Sequence, residues 1–326
     1  MFVLLHVRRR QHHRSRRLLG VDVLDRGIAE ATISISSYRV ESPGVEGVGL
    51  RTNQFRADNL DSGSFSRVAE EFLLASRISR WDREFAISVM DYFGDPMIET
   101  YGKLDQDTYV EGDVLDLPPS SVARMAVSEA IRQRRTRRYY TGDPLHLADI
   151  AALMRDTAGI TGAGDVEKSN GDHVRYWYRA VPSGGGLYPV ELQFVALNVR
   201  GLDRGVYRYA PRRDQLVRTG DAETADALVA SVSTPEDDLN PEAAAGIFCL
   251  IGHPWRSMRK YGPRGLRFVL HESGAMAEHM HLVATSLGVG TADYSSFFDD
   301  DANDALDCDG LSRLVLHMVL VGVPSE

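Results

Sequence analysis

Three stretches of this 326-residue chain carry residue types that could do chemistry. The first is Arg134-Arg-Thr-Arg-Arg-Tyr-Tyr140. Guanidinium forks match phosphate oxygens bidentately, and the Thr136 hydroxyl adds a donor, so Arg134, Arg135, Arg137 and Arg138 together could hold a phosphate. Each charge-assisted hydrogen bond contributes roughly 1.5–3 kcal/mol. The competing reading is a cationic run that steadies a helix C-terminus, at about 0.3–1 kcal/mol per charge. The second stretch is Trp255-Arg-Ser-Met-Arg-Lys-Tyr-Gly-Pro-Arg-Gly265, where Lys260 and Tyr261 stand among Arg256, Arg259 and Arg264. Neighbouring cations and partial burial would turn the lysine toward a base, with the tyrosine as a proton relay. The alternative is a basic surface loop. The third is Val181-Pro-Ser-Gly-Gly-Gly-Leu-Tyr-Pro-Val190. Gly184, Gly185 and Gly186 can take positive φ and let a flat ligand approach the backbone between Pro182, Ser183 and Pro189. A flexible turn is the plain alternative.

Other motifs fail on spacing. His271-Glu272 is not followed by a histidine where a zinc-binding helix needs one. His279 and His281 are two apart on a helix and face different ways. The glycine loop lacks a P-loop lysine, and Pro189 stands where a dinucleotide fingerprint needs glycine. Asp299-Asp-Asp301 reads as an exposed turn rather than a metal site, and no metal is expected.

Composition narrows the setting. A net charge of -9 with pI near 5.6 argues against nucleic acid as partner. Cys249 and Cys308 are far apart, which fits a reduced, cytoplasmic protein and excludes a disulfide scaffold. No apolar run approaches the ~20 residues that span a membrane. The basic segment Val7–Arg17 lacks the apolar stretch of a signal peptide, so residues 1–19 read as a disordered tail or the product of an upstream start codon, with a phosphate-binding arm as the lesser alternative.

The elements that must position these residues follow from pattern. Residues 20–117 form an N-terminal extension, with a strand-like Ala31–Val40 and helical spacing from Ser64 to Met90, broken near Ser79. Asp113–Ser121 with its two prolines reads as a linker. A helix should start at Ser120 or Ser121 and bury Val122, Met125, Ala126, Ala130 and Ile131. A second should be capped by Asp143-Pro144 and stop at Gly159. Val190–Val199, Val206–Tyr209 and Gln215–Arg218 form a meander, followed by a helix Glu223–Val232. Ala245–Gly252 is apolar enough for a strand buried on both faces, and Leu311–Gly322 is the last strand. Glu272–Leu287 is a helix stopped by Gly288. The class is α+β with a mostly antiparallel central sheet flanked by helices, residues 118–326 forming its main domain.

Taken in order, these segments resemble one family. Arg134–Tyr140 resembles the R-R-S-x-R-x-F opening of the nitroreductase-like flavoproteins. Val181–Pro189, with Gly205–Pro211, resembles the SagB-type branch, and Arg259–Gly265 matches that branch's lysine–tyrosine motif. Glu272–His279 and Leu287–Gly290 resemble its glycine-bearing helix and the turn that ends it. Thr136 and Tyr140 replace the usual serine and phenylalanine, and Ser295-Ser-Phe297 stands where a glycine-rich turn is common. The superfamily's basic C-terminal tail has no counterpart after Gly322. The resemblance implies FMN as cofactor. Its phosphate would lie on Arg134, Arg135, Thr136 and Arg138, and its ring on Pro182, Ser183, Gly184, Gly185 and Gly186. It implies a homodimer and an azoline dehydrogenase, which converts thiazoline or oxazoline rings of a ribosomally made precursor peptide to thiazole or oxazole. Lys260 would be its base, Tyr261 the relay, and cyclodehydratase proteins its partners. Two alternatives remain: an NAD(P)H-fed nitro- or quinone reductase, and a non-catalytic scaffold subunit of a peptide-modifying complex.

Overall fold

The computed structural model describes residues 68–78, 83–94, 112–122, 125–167, 173–232 and 239–325. The expected basic tail and the strand Ala31–Val40 lie outside them. The chain divides into two compact units, Met1–Arg77 and Ile78–Glu326. In the first, the described element is helix α1 (Val68–Ala75).

The second unit opens with α2 (Arg83–Gly94), then β1 (Val114–Asp116), α3 (Val127–Gln133), β2 (Leu145–His146), α4 (Leu147–Ala158), β3 (Ile160–Glu167) and β4 (His173–Arg179). It continues through β5 (Val190–Ala196), β6 (Val199–Arg200), β7 (Gly205–Ala210), β8 (Gln215–Gly220), α5 (Ala222–Ala230), β9 (Gly246–Gly252), α6 (Pro254–Tyr261) and α7 (Arg264–Leu287). It closes with β10 (Gly290–Tyr294), α8 (Asp299–Ala305) and β11 (Leu314–Gly322). Seven strands form one antiparallel sheet in the order β1-β8-β7-β5-β9-β11-β10.

The central strands β5 and β9 are buried along their whole length, because helices cover both faces. Side chains alternate across a strand. Phe248 and Leu250 therefore meet Ile150, Leu153 and Met154 of α4 and Val269, Met276 and Met280 of α7. Ile247, Cys249 and Ile251 face Leu228 and Val229 of α5 and Ala302 and Leu306 of α8. The result is a helix–sheet–helix sandwich with the meander, the buried strand and the last strand where the sequence predicts them.

Several local expectations change. Asp113–Ser121 is not only linker: Val114–Asp116 pairs with Val217–Gln215 as an edge strand, and the prolines follow it. Helix α3 starts at Val127, not at Ser120 or Ser121. The Ser120 hydroxyl instead accepts from Arg155 at 2.8 Å, which also binds the carbonyls of Leu117 and Pro118. Only Ala130 of the expected stripe is buried, while Val122 and Ile131 are exposed. Helix α4 starts after His146, whose backbone N–H donates to Asp149, rather than at Asp143-Pro144. Asp299–Asp301 form the first turn of α8 instead of a loose turn. The hairpin β3–β4 and strand β10 are additions that the sequence reading lacked.

Candidate functional site

The glycine loop follows β4 and enters β5. Gly184–Gly186 make one short 3-10 turn in which Gly185 and Gly186 sit at φ +69° and +64°. These are backbone states that side chains rarely adopt, so glycine is required by conformation. The Ser183 hydroxyl accepts from the Tyr188 N–H at 2.9 Å and closes the turn.

Lys260 and Tyr261 meet this loop directly. Strand β9 ends at Gly252, and the His253 N–H donates to the Pro189 carbonyl at 2.8 Å, which ties the loop to the start of α6. Pro254 takes the first turn of α6, where a missing N–H costs nothing. Ser257 and Lys260 lie three apart and share the buried face. The sequence left open a basic surface loop, but Lys260 is only 8% exposed on a helix. A side chain at Gly185 would reach both the Tyr261 hydroxyl and the Lys260 ammonium, so the three groups are neighbours. Of the 37 basic residues in the chain, lysine occurs only at 103, 168 and 260. A lysine at this buried position is therefore not a generic cation. Tyr261 packs edge-on against Phe268 of α7 at 4.9 Å and stacks on Phe85 of α2 at 6.3 Å. Burial raises its hydroxyl above the usual tyrosine range.

Beneath the loop lies an acid the sequence reading did not single out. Glu272, on α7 and 3% exposed, accepts the Val190 N–H at 3.2 Å. Burial pushes its carboxyl up to about 7, against the opposing pull of Ser183, Arg179, the Val190 N–H and Arg256. A glutamate inside an otherwise ordinary Ala/Met helix gives no sequence signal beyond its place on the apolar face. It is nevertheless the polar anchor that joins the loop to β5.

The arginine segment lies elsewhere. The Arg137 N–H donates to the Thr291 carbonyl at 2.8 Å, and Thr136 bridges to Thr291, so β10 holds the segment. Arg138 and Tyr139 line a cavity of about 450 Å³ with Asp293, Tyr294, Ser295 and Ser296. Arg135 instead binds the carbonyls of Arg132 and Arg134 at 2.9 and 2.7 Å, which caps the end of α3. The Asp293 carboxylate lies 2.9 Å from the His281 ring and 3.0 Å from the His317 ring. Burial opposes its ionisation, but the two histidines hold its carboxyl well below the usual carboxylate range. His281 also contacts the Thr291 hydroxyl at 2.6 Å, while His279 faces the Asp156 carbonyl, so the two histidines do diverge. Among the described residues no group of His, Cys, Asp and Glu could hold a metal ion.

The sheet register measures the gap between the two regions. Val190 and Gly252, beside the glycine loop, pair with each other, whereas Thr291 pairs with Val321, which faces Gly246. From Gly252 to Gly246 is six residues, about 20 Å at strand rise. Helix α7 gives the same figure: Phe268 touches the loop, His281 touches Thr291, and thirteen residues of helix span about 20 Å. One chain thus brings Pro182–Gly186 together with Lys260 and Tyr261, and keeps Arg134–Arg138 at the other end of the sheet.

A seven-stranded antiparallel sheet between helices, with a buried lysine and a half-buried tyrosine under a glycine loop at one sheet end, defines an α+β protein. The chain belongs to the nitroreductase family, a family of flavin-binding oxidoreductases, whose model matches residues 131–323, more than half of the chain. It is 28% identical over 195 residues to a nitroreductase-type protein of Methanocaldococcus jannaschii, covering 60% of this chain and 91% of that one. It is 31% identical over 126 residues to the microcin B17-processing protein McbC of Escherichia coli, covering 37% of this chain and 45% of that one. A crystal structure of a nitroreductase-type protein from Anabaena variabilis shares the fold with a TM-score of 0.53 at 19% identity, over 66% of this chain and 42% of that chain. Among the described residues no helix is long and apolar enough to cross a membrane.

Proposed function

We propose that this chain is an FMN-dependent azoline dehydrogenase that oxidises thiazoline or oxazoline rings of a ribosomally made peptide to thiazole or oxazole. The observation that carries the reading is the buried Lys260 beside Tyr261, both packed under the Gly184–Gly186 turn. The likeness to a microcin-processing protein supports a peptide substrate, and we assign cyclodehydratase proteins as its partners.

The residues present fit FMN. The Gly186 backbone, with nothing within 4 Å of its missing Cβ, is open to a flat ring, and Arg134, Thr136 and Arg138 offer donors suited to a phosphate, Arg138 beside a cavity. The arginine segment and the turn are about 20 Å apart in one chain. We therefore read the site as shared in a homodimer, with the arginines of one copy facing the turn of the other. FMN bound there supplies the hydride acceptor for the oxidation.

Aromatising an azoline removes two hydrogens per ring, one as hydride and one as a proton from the carbon derived from Cα. Lys260 takes that proton as a neutral amine, at a position fixed by α6 and the turn. Tyr261, locked by Phe268 and Phe85, orients the ring or relays the proton. A positioned base of this kind contributes typically about 10²–10⁴-fold. Residues 20–117 are the part of the chain we assign to the peptide's approach.

The test is mass analysis of an azoline peptide incubated with the FMN-loaded protein. A loss of two hydrogens per ring supports the reading, and an unchanged peptide counts against it. The Methanocaldococcus jannaschii relative, matched over 91% of its length, favours a second reading, an NAD(P)H-dependent nitro- or quinone reductase. Rapid bleaching of the bound flavin by added NAD(P)H would select that one.

A further inference from the structure

Helix α2 lies outside the stretch 131–323 that matches the family, yet it supplies much of what surrounds Lys260. The Lys260 ammonium sits 4.6 Å from the centre of the Phe93 ring and 4.9 Å from that of Tyr92, both on α2. The Tyr261 ring, on its own helix, is 5.2 Å away. The Ser88 hydroxyl donates to the Lys260 carbonyl at 3.1 Å, and Phe85 stacks on Tyr261, so α2 is pinned on both sides of the pair. Tyr92 is 2% exposed and among the largest fully buried side chains of the described residues.

We propose that Tyr92 and Phe93 are positioning residues for Lys260: a two-ring clamp that holds its side chain as an ammonium ion against the glycine turn. Ring faces carry negative charge density and attract a cation lying over them within about 6 Å. A long, flexible lysine stem would otherwise sample many rotamers. Here two faces from α2 and one from α6 leave the nitrogen next to Gly185. Among the described residues, the groups facing it include the rings of Tyr92, Phe93 and Tyr261, two of which carry titratable hydroxyls. If Lys260 is the base of the reaction proposed above, on which this inference rests, its amine becomes available only when the ammonium gives up its proton against the pull of the rings. Helix α2 is then part of the catalytic unit.

Amine acetylation, pulsed over a pH series and read by peptide mass spectrometry, tests the clamp without any azoline. The full-length protein carries three lysines, so Lys103 and Lys168 act as internal references. Phe93 is 54% exposed, so Phe93→Leu leaves the core intact. Losing one partly exposed cation–π face should speed Lys260 labelling about two- to fivefold below its midpoint, and should move that midpoint to lower pH. Phe93→Trp should match wild type or label more slowly. An unmoved midpoint in Phe93→Leu overturns the clamp, even if the plateau rate rises, because simple unblocking raises the plateau alone. That result would leave the dehydrogenase reading standing, whereas a peptide left unoxidised would count against that reading and not against the clamp.

Discussion

Gly185 and Tyr261 are packed so closely that residue 185 has no room for a side chain. A Cβ there would overlap the Tyr261 hydroxyl and lie 3.1 Å from the Lys260 nitrogen, at a φ of +69°. The neighbouring Gly186 has a similar φ of +64° but nothing within 4 Å of its missing Cβ. The two glycines thus separate backbone strain from contact. Gly186→Ala should cost only the left-handed penalty, about 1–2 kcal/mol. Gly185→Ala should cost more, and should lower azoline turnover at least about tenfold by displacing the Lys–Tyr pair. Thermal melts and turnover of the two variants side by side check this. Equal behaviour would mean the close contact has no functional weight.

Glu272 predicts a pH dependence of stability. Its carboxyl is raised from the ordinary 4.5 to about 7 by burial, so the fold favours the protonated form. The stabilisation is complete below about pH 4.5 and is lost as pH rises through 7. Glu272→Gln keeps the shape and an acceptor for the Val190 N–H without the charge. The variant should match wild type near pH 5 and exceed it at pH 8 by up to about 3 kcal/mol. Denaturant titrations at both pH values give the difference, and an equal gap at both would refute the assignment.

The arginines divide by what they touch. Arg135→Ala should lower stability, since its guanidinium closes the end of α3, with little change in FMN affinity. Arg138→Ala should weaken FMN binding about tenfold or more, one charge-assisted hydrogen bond. If the site is shared between copies, mixing Arg138→Ala with Lys260→Ala chains should restore about a quarter of wild-type turnover, because half the dimers carry one intact site. Sites contained within one chain would give no recovery.

The architecture was legible where burial is continuous. Ala245–Gly252 and Leu311–Gly322 are apolar because helices cover both sheet faces, and Gly288 ends α7 in the left-handed state its type allows. Elements held by single polar contacts were hidden. Val114–Asp116 is a strand through its pairing with β8, and α3 starts late because Arg155 takes the Ser120 hydroxyl. Of the site, the residue types at Lys260, Tyr261 and Gly184–Gly186 were readable, and the fold brings them together. That Arg134–Arg138 stand at the far end of the sheet follows from register, which no local motif encodes. Glu272 and the rings of α2 were invisible for a related reason: their meaning comes from neighbours distant in sequence.

The most direct measurement is azoline oxidation by Lys260→Ala. The substitution removes the amine at a buried position while leaving the arginines and the glycine turn in place. The variant should bind FMN as wild type does and lose azoline turnover by about 10²–10⁴-fold. Oxidation at the wild-type rate by this variant would contradict the account.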